Sequence, residues 1–283
     1  MKSIEVFHIG PQKTGTTWVY RCFREHPGIE CPDSDSIHYF DMNYHKGRQW
    51  YMRHFRQFNN NVKLFDPTYS YFRSPVAPER IYRENPDAKI IVCLRKPIER
   101  AFSHYWHEKK KMRFNFNFEE VLKNYDLYSN WVEPSFYFFH LEKYLQFFQK
   151  EQILVQFFDN LQKDPELFLK RILQFIEVDD LFRPSVLHEK INAAAPKQNL
   201  FSVKTKNFIS NLLKKIGAYK HAKQLKNSIF EKRLNKIFNE KIEKLHQVNP
   251  KVIDELDTMF AQDISNLEKL LHVDLTHWRN KSN

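Results

Sequence analysis

Apolar positions in this chain fall into short, dense runs separated by helical spacings. Residues 4–10 (IEVFHIG) form one such run and end on Gly, which predicts a buried strand rather than a cleaved signal peptide. Residues 16–25 have helical character and stop at His26-Pro27-Gly28. A second short strand is predicted over 61–65, closed by Asp66-Pro67, and a helix over 77–83 with Asn85-Pro86-Asp87 as the turn after it. Residues 89–94 (KIIVCL) are β-branched and apolar throughout, as in a parallel strand covered on both faces. Pro97 then opens a helix to about residue 111, at a first-turn position where proline is tolerated. Further on, the pattern predicts helix over 136–150, strand over 152–157 and helix over 165–176. After Pro196 it is helical almost to the end, with a break at Asn249-Pro250.

Strands alternating with helices over the first 180 residues predict βα units. The fold class expected is α/β: a P-loop-type, three-layer arrangement with a central, mostly parallel sheet and a helical C-terminal third. With no repeats and no low-complexity linker, residues 1–283 are expected to form a single domain.

Charge changes the picture in one region. The net charge is +11, and residues 197–246 hold 13 Lys or Arg against 3 Glu. A basic surface there would attract polyanions such as sulfated or uronic-acid glycans, nucleic acid or an anionic membrane face. No run of 18 apolar residues occurs, so no membrane-spanning helix is expected. Three cysteines at irregular spacing (Cys22, Cys31 and Cys93) fit neither a disulfide framework nor a zinc site, so reduced thiols in a cytoplasmic protein are expected.

Candidate chemistry begins where the first strand meets the first helix, at Gly10-Pro11-Gln12-Lys13-Thr14-Gly15-Thr16-Thr17. Small residues there let backbone N–H groups face an anion, the helix N-terminus adds a positive dipole, and Lys13 adds a full charge. A nucleotide-hydrolysing P-loop reads G-x-x-x-x-G-K-[ST]. Gly10 and Gly15 keep that spacing, but Thr16 occupies the lysine position and the lysine stands at position 13. A second candidate follows strand 89–94: Arg95-Lys96-Pro97-Ile98-Glu99-Arg100-Ala101-Phe102-Ser103. Arg95 offers a planar fork to a phosphate, and Ser103 can donate from the helix that follows.

Lys13-Thr14-Gly15-Thr16-Thr17 resembles the 5′-phosphosulfate loop of sulfotransferases that use PAPS (3′-phosphoadenosine-5′-phosphosulfate). Arg95 with Ser103 eight residues later resembles their 3′-phosphate site. Ile37-His38-Tyr39-Phe40-Asp41 with Gly47 and Trp50-Tyr51, the stretch Phe65-Asp66-Pro67-Thr68-Tyr69-Ser70-Tyr71-Phe72, and the tail from Ile264 to Trp278 look like the branch containing heparan sulfate sulfotransferases and bacterial relatives. The resemblance spans essentially the full chain. It implies PAPS as sulfuryl donor and PAP as product, no metal, and a hydroxyl or amine acceptor, with a glycan or other polyanion favoured over nucleic acid; it does not fix the oligomeric state. It further implies donor binding by Gln12, Lys13, Thr14, Gly15, Thr16, Thr17, Trp18 (stacked on adenine), Arg95, Ser103 and Lys197, with Lys13 stabilising the leaving oxygen.

The chain departs from that pattern at two places. The branch's catalytic Glu is Ser36 here, and the usual Glu-Lys of the second segment is Asp66-Pro67. His38 is therefore the first candidate for the base, on the same face as Ser36 if that segment is extended. Asp66 is the second candidate, Asp35 or Asp41 the third, and His107 is expected to face the acceptor. Three other readings stay open on the residues alone: a P-loop kinase or NTPase, a polyanion binder built on the basic third, and a PAP-binding homologue without activity.

Overall fold

The computed structural model describes residues 2–56, 61–111, 116–187 and 248–279. The basic stretch of residues 197–246, Lys197 included, lies outside them. Among the described residues five strands form one sheet: β1 (Val6–Gly10), β2 (Ile29–Glu30), β3 (Lys63–Asp66), β4 (Lys89–Leu94) and β5 (Ile153–Phe157), in the order β2-β3-β1-β4-β5. Every ladder is parallel. Val6 pairs with both Phe65 and Lys89, and β4 runs in register with β5 from Ile90↔Ile153 to Leu94↔Phe157.

Parallel strands need crossovers, and these lay helices on both faces. On one face, Phe7, Ile9, Ile90, Val92 and Leu94 pack in a core under α3 (Ala77–Glu84), α4 (Pro97–Lys110), α6 (Tyr137–Leu145) and α9 (Pro250–Leu271). On the other, Val6, Phe65, Ile91 and Cys93 pack under α1 (Thr16–Glu25) and α8 (Pro165–Phe175). Alternate residues of β1 and β4 thus feed opposite cores, which is why these strands read as continuous apolar runs. The result is the expected three-layer α/β fold of P-loop type. No helix among the described residues is long and apolar enough to cross a membrane.

The remaining elements are short. Helix α2 (Gly47–Met52) precedes β3, α5 (Tyr125–Trp131) lies between α4 and α6, and α7 (Phe158–Lys163) follows β5 directly. The helix expected over 136–150 ends at Leu145, and the strand expected over 61–65 sits one to two residues later. That shift places Asp66 inside β3, paired with Phe7, rather than in the turn after it.

One arrangement positions the site. Neighbouring strands β1 and β4 feed helices on opposite faces, α1 on one and α4 on the other. Their two loops therefore part at the carboxyl edge of the sheet, the usual ligand position in open α/β sheets.

Candidate active site

The loop between β1 and α1 is shaped by its glycines. Gly10 has φ +105°, and a Cβ there would stand 2.3 Å from the Tyr69 carbonyl oxygen, so only glycine lets β1 meet that segment. Gly15 has φ +101°, and a Cβ there would stand 2.8 Å from the Leu161 side chain. Between them Thr14 is buried and its hydroxyl donates to the Pro11 carbonyl at 2.7 Å, closing the loop on itself. Thr16 and Thr17 then open α1, whose first N–H groups have no partner within the helix. These are the conditions for anion binding at a helix start.

Lys13, at the crown of the loop, has a left-handed backbone (φ 75°). Burial lowers its ammonium pKa to about 8, helped by the nearby cations Lys111, Arg95 and Arg100 and opposed by Glu108. The full mobile charge expected at position 13 is therefore a half-buried amine held among other cations. Such a group is suited to a bound anion that would restore its charge.

Arg95 leaves the end of β4 almost fully buried. Its Nη2 and Nε donate to Glu99 Oε2 at 2.7 and 3.1 Å, and its guanidinium lies 4.9 Å from the centre of the Phe158 ring. An incoming phosphate would thus meet a fork already oriented by a half-exposed carboxylate. Ser103 is buried on α4, eight residues after Arg95. Trp18 is only 4 % exposed and packs edge-on to Phe168 at 5.9 Å, within the core. Its placement departs from the stacking surface that the resemblance implied.

The acceptor-side segments meet the loop through Tyr69, whose hydroxyl bonds with the Gln12 side chain. Tyr69 opens a 3-10 helix, Tyr69–Arg73, that also carries Ser70. The Ser70 hydroxyl lies 2.8 Å from His38 Nδ1 and donates to Asp41 Oδ2. Asp41 Oδ2 is itself 3.7 Å from His38 Nδ1. Burial pushes the Asp41 carboxyl pKa upward, but hydrogen bonds from His38, Ser70 and the Met42 amide outweigh it and hold the group below its ordinary range. Asp41 thus stays an anion beside the imidazole.

His38 does not continue an extended segment from Ser36. Its backbone is left-handed (φ 55°), and it caps a five-residue π-helix, Tyr39–Asn43. The expectation that His38 and Ser36 share a strand face is therefore corrected: the chain turns at His38. Ser36 is spent on a local turn, with its hydroxyl donating to the Asp35 carbonyl at 2.6 Å.

Asp66 occupies a place that sequence reasoning did not anticipate. It is fully buried, and four donors converge on its carboxylate: the Tyr51 hydroxyl at 2.7 Å, the Tyr71 hydroxyl at 3.0 Å, the Thr68 amide at 3.0 Å and the Thr68 hydroxyl at 2.5 Å. No lone pair is left facing a substrate. Instead, Thr68 Oγ1 accepts from the Ile37 and His38 amides, and the Tyr71 hydroxyl from the Tyr39 and Phe40 amides. Asp66 is the hub from which residues 37–40 hang, so its geometry is that of a positioning residue and not of a base. Its run Asp66-Pro67-Thr68 was the available signal, because a carboxylate two residues before a Thr commonly folds back on the backbone.

Arg100 is likewise buried, donating from Nε to Ser135 Oγ at 2.6 Å and from Nη2 to the Trp131 carbonyl. It ties α4 to the end of α5 and to the 3-10 turn Glu133–Ser135 that follows it. His107 is half-buried on α4, with Nε2 3.9 Å from Glu108 Oε1.

Comparison with known proteins matches this arrangement. The family model described as "Sulfotransferase domain" covers residues 3–257. The chain belongs to the sulfotransferase domain family, and its enzyme class is that of a sulfotransferase. It is 34 % identical over 189 residues to mouse (Mus musculus) bifunctional heparan sulfate N-deacetylase/N-sulfotransferase 4, covering 60 % of this chain and 22 % of that protein. It is 31 % identical over 212 residues to the human (Homo sapiens) bifunctional heparan sulfate N-deacetylase/N-sulfotransferase 1, covering 68 % of this chain and 24 % of that one. The chain thus spans about a quarter of the length of these relatives. In fold it is similar to a sulfotransferase from Alicyclobacillus acidocaldarius, with a TM-score of 0.71 and 23 % identity over 99 % of this chain and 100 % of that one. Family membership leaves the P-loop kinase reading without support.

Proposed function

We propose that the chain transfers a sulfuryl group from PAPS to a hydroxyl or amine of a glycan. The observation that carries this reading is that Lys13, in the loop after β1, lies under the influence of the cations Lys111, Arg95 and Arg100, which with burial depress its ammonium. Glu99 and Glu108 offset these charges only in part, and an anionic ligand against Lys13 would relieve the rest. The donor fits the residues present: the loop amides and Lys13 would hold its 5′-phosphosulfate, and Arg95 with Ser103 its 3′-phosphate. When bound, it supplies an activated sulfuryl group for in-line displacement. The protein's part is to place the acceptor, take its proton at His38 Nε2 and neutralise the charge left on the departing oxygen through Lys13.

His38 suits this role by its surroundings. Ser70 and Asp41 hold Nδ1, so the ring orientation is set and Nε2 is left for the acceptor. The carboxylate missing at Ser36 is thereby replaced by an imidazole with its own orienting carboxylate, which favours an active enzyme over a silent PAP binder. A glycan acceptor, with the amine nitrogen as one option, is favoured by the relatives named for heparan sulfate N-sulfotransferase activity. The test is incubation with labelled PAPS and a panel of N-unsubstituted and N-acetylated glycans. Label in a glycan product supports the reading; PAPS binding without transfer to any panel member returns it to a silent PAP binder.

A further inference from the structure

Helix α4 carries a side chain with no part in the chemistry described so far. His104 follows Ser103 directly and lies one turn after Arg100. Its ring is half-buried, and Nδ1 is enclosed with no hydrogen-bond partner. Arg100 Nη1, one turn earlier on the same face, is also enclosed and unpartnered. Two orphaned polar atoms on one helix face are uncommon in a folded chain and point to a function.

The charges facing His104 decide which form it takes. Arg100 and His107 come from α4 itself, Lys13 from the loop after β1, and Arg73 from the end of the 3-10 helix after β3. Burial first, and these cations next, hold the imidazole pKa well below its ordinary value. The ring is therefore neutral at physiological pH. An enclosed Nδ1 without a partner, in a ring surrounded by cations, is better left as a lone pair than as a buried N–H with no acceptor. The proton then sits on Nε2, the nitrogen on the open side of the ring.

We propose that His104 is a further catalytic residue: a neutral imidazole that donates its Nε2–H to an oxygen of the sulfuryl group bound beside Lys13. The inference rests on the sulfuryl-transfer reading given above. In the reaction the bond from sulfur to the departing oxygen breaks and the bond to the acceptor atom forms. The acceptor's proton goes to His38, and His104 neither gains nor loses one. A fixed neutral donor of this kind acts as an oxyanion-hole group, strongest where charge collects in the transition state.

Two measurements test this. In turnover with PAPS, His104→Ala lowers kcat by about 10²-fold, the usual cost of one such donor, whereas His104→Gln, which keeps a neutral N–H, retains most of it. Independently, nitrogen-15 magnetic resonance of the whole protein shows His104 as the neutral Nε2–H tautomer from pH 5.5 to 8, and its Nε2–H signal moves with PAPS more than with PAP. A kcat in His104→Ala within twofold of wild type, a His104→Gln enzyme as slow as His104→Ala, or an Nε2–H signal unmoved with PAPS bound each overturns the proposal. Wild type that binds PAPS but transfers to no acceptor sinks the transfer reading alone, and the resonance shift then still decides for His104. Absence of PAPS binding sinks both.

Discussion

Ser70 holds His38: its hydroxyl stands 2.8 Å from Nδ1 and hands its own proton to Asp41. The imidazole is thus fixed by a hydroxyl and a carboxylate that belong to two different acceptor-side segments, Ser70 to the 3-10 helix Tyr69–Arg73 and Asp41 to the π-helix Tyr39–Asn43. The same 3-10 helix touches the phosphate loop through Tyr69 and Gln12. Donor loop and candidate base are two contacts apart.

If His38 takes the acceptor's proton, His38→Ala should lower turnover by roughly 10²–10⁴-fold, the range for loss of a general base. Ser70→Ala should cost less, since Asp41 remains 3.7 Å from the ring, and Asp41→Asn should cost kcat more than KM by loosening the ring. Steady-state rates with a hydroxyl acceptor, on variants checked for folding, decide this. An undiminished His38→Ala enzyme removes His38 from the mechanism.

Asp66 makes the contrasting prediction. Four donors on one buried carboxylate mean that Asp66→Ala leaves the Tyr51 and Tyr71 hydroxyls and Thr68 without their acceptor. Each such loss costs about 1–3 kcal/mol, so the urea midpoint should fall steeply. Asp66→Asn should fall less and keep measurable turnover in its folded fraction, as a positioning residue would. A stable, fully folded Asp66→Asn protein with no activity would instead make Asp66 chemical.

Donor choice falls to Arg95. Its fork is preset by Glu99 and buried beside Phe158. PAP should bind far more tightly than AMP, ADP or ATP, with no divalent metal required. Arg95→Ala should erase most of that preference, as a charge-assisted contact is worth about 1.5–3 kcal/mol. Equal calorimetric affinities of the wild type for PAP and ADP would remove the 3′-phosphate from the Arg95 site.

Much of this was legible in the residue pattern, for physical reasons that also explain the gaps. Strands β1 and β4 are covered on both faces, so their runs announce themselves, and the loop of Gly10 to Thr17 is a local device whose glycines declare its turns. The role of Asp66 was hidden because its partners Tyr51 and Tyr71 lie 15 and 5 residues away and meet only through tertiary folding. The turn at His38 was hidden too, since a non-glycine residue with φ 55° has no sequence signature and is imposed by the Thr68 and Tyr71 hydroxyls around it. Trp18 follows the same rule: its neighbour Phe168 is 150 positions away.

Acid stability should report His8. This residue is fully buried in β1 with neither ring nitrogen partnered, and burial lowers its pKa to about 3. The unfolded chain takes up the proton near pH 6.5, so the penalty on the fold is absent above that pH, grows as pH falls, and is complete only near pH 3. The unfolding free energy should therefore drop by on the order of 4 kcal/mol from this group across that window. His8→Leu should flatten that part of the curve. An unchanged slope in His8→Leu would place the acid sensitivity elsewhere.

Proton uptake on donor binding is the sharpest consequence of the cation cluster. In the free protein, burial and then Lys111, Arg95 and Arg100 keep the Lys13 pKa at about 8, so at pH 8 about half the molecules carry a neutral amine. A phosphosulfate or phosphate bound against Lys13 favours the ammonium and raises its pKa. Binding of PAP at pH 8 should then draw about half a proton per site from the buffer, while at pH 6.5, where Lys13 is already charged, it should draw almost none from this group. Affinity should fall as pH rises above 8, because each complex must then recruit a proton that has become scarce. Calorimetry in two buffers of different ionisation enthalpy reads the uptake directly. Lys13→Met should abolish the uptake at pH 8 and flatten the pH dependence of affinity. It should also lower kcat more than it weakens PAP binding, because the charge matters most on the departing oxygen. If Lys13→Met takes up the same fraction of a proton as wild type, the titrating amine is not Lys13.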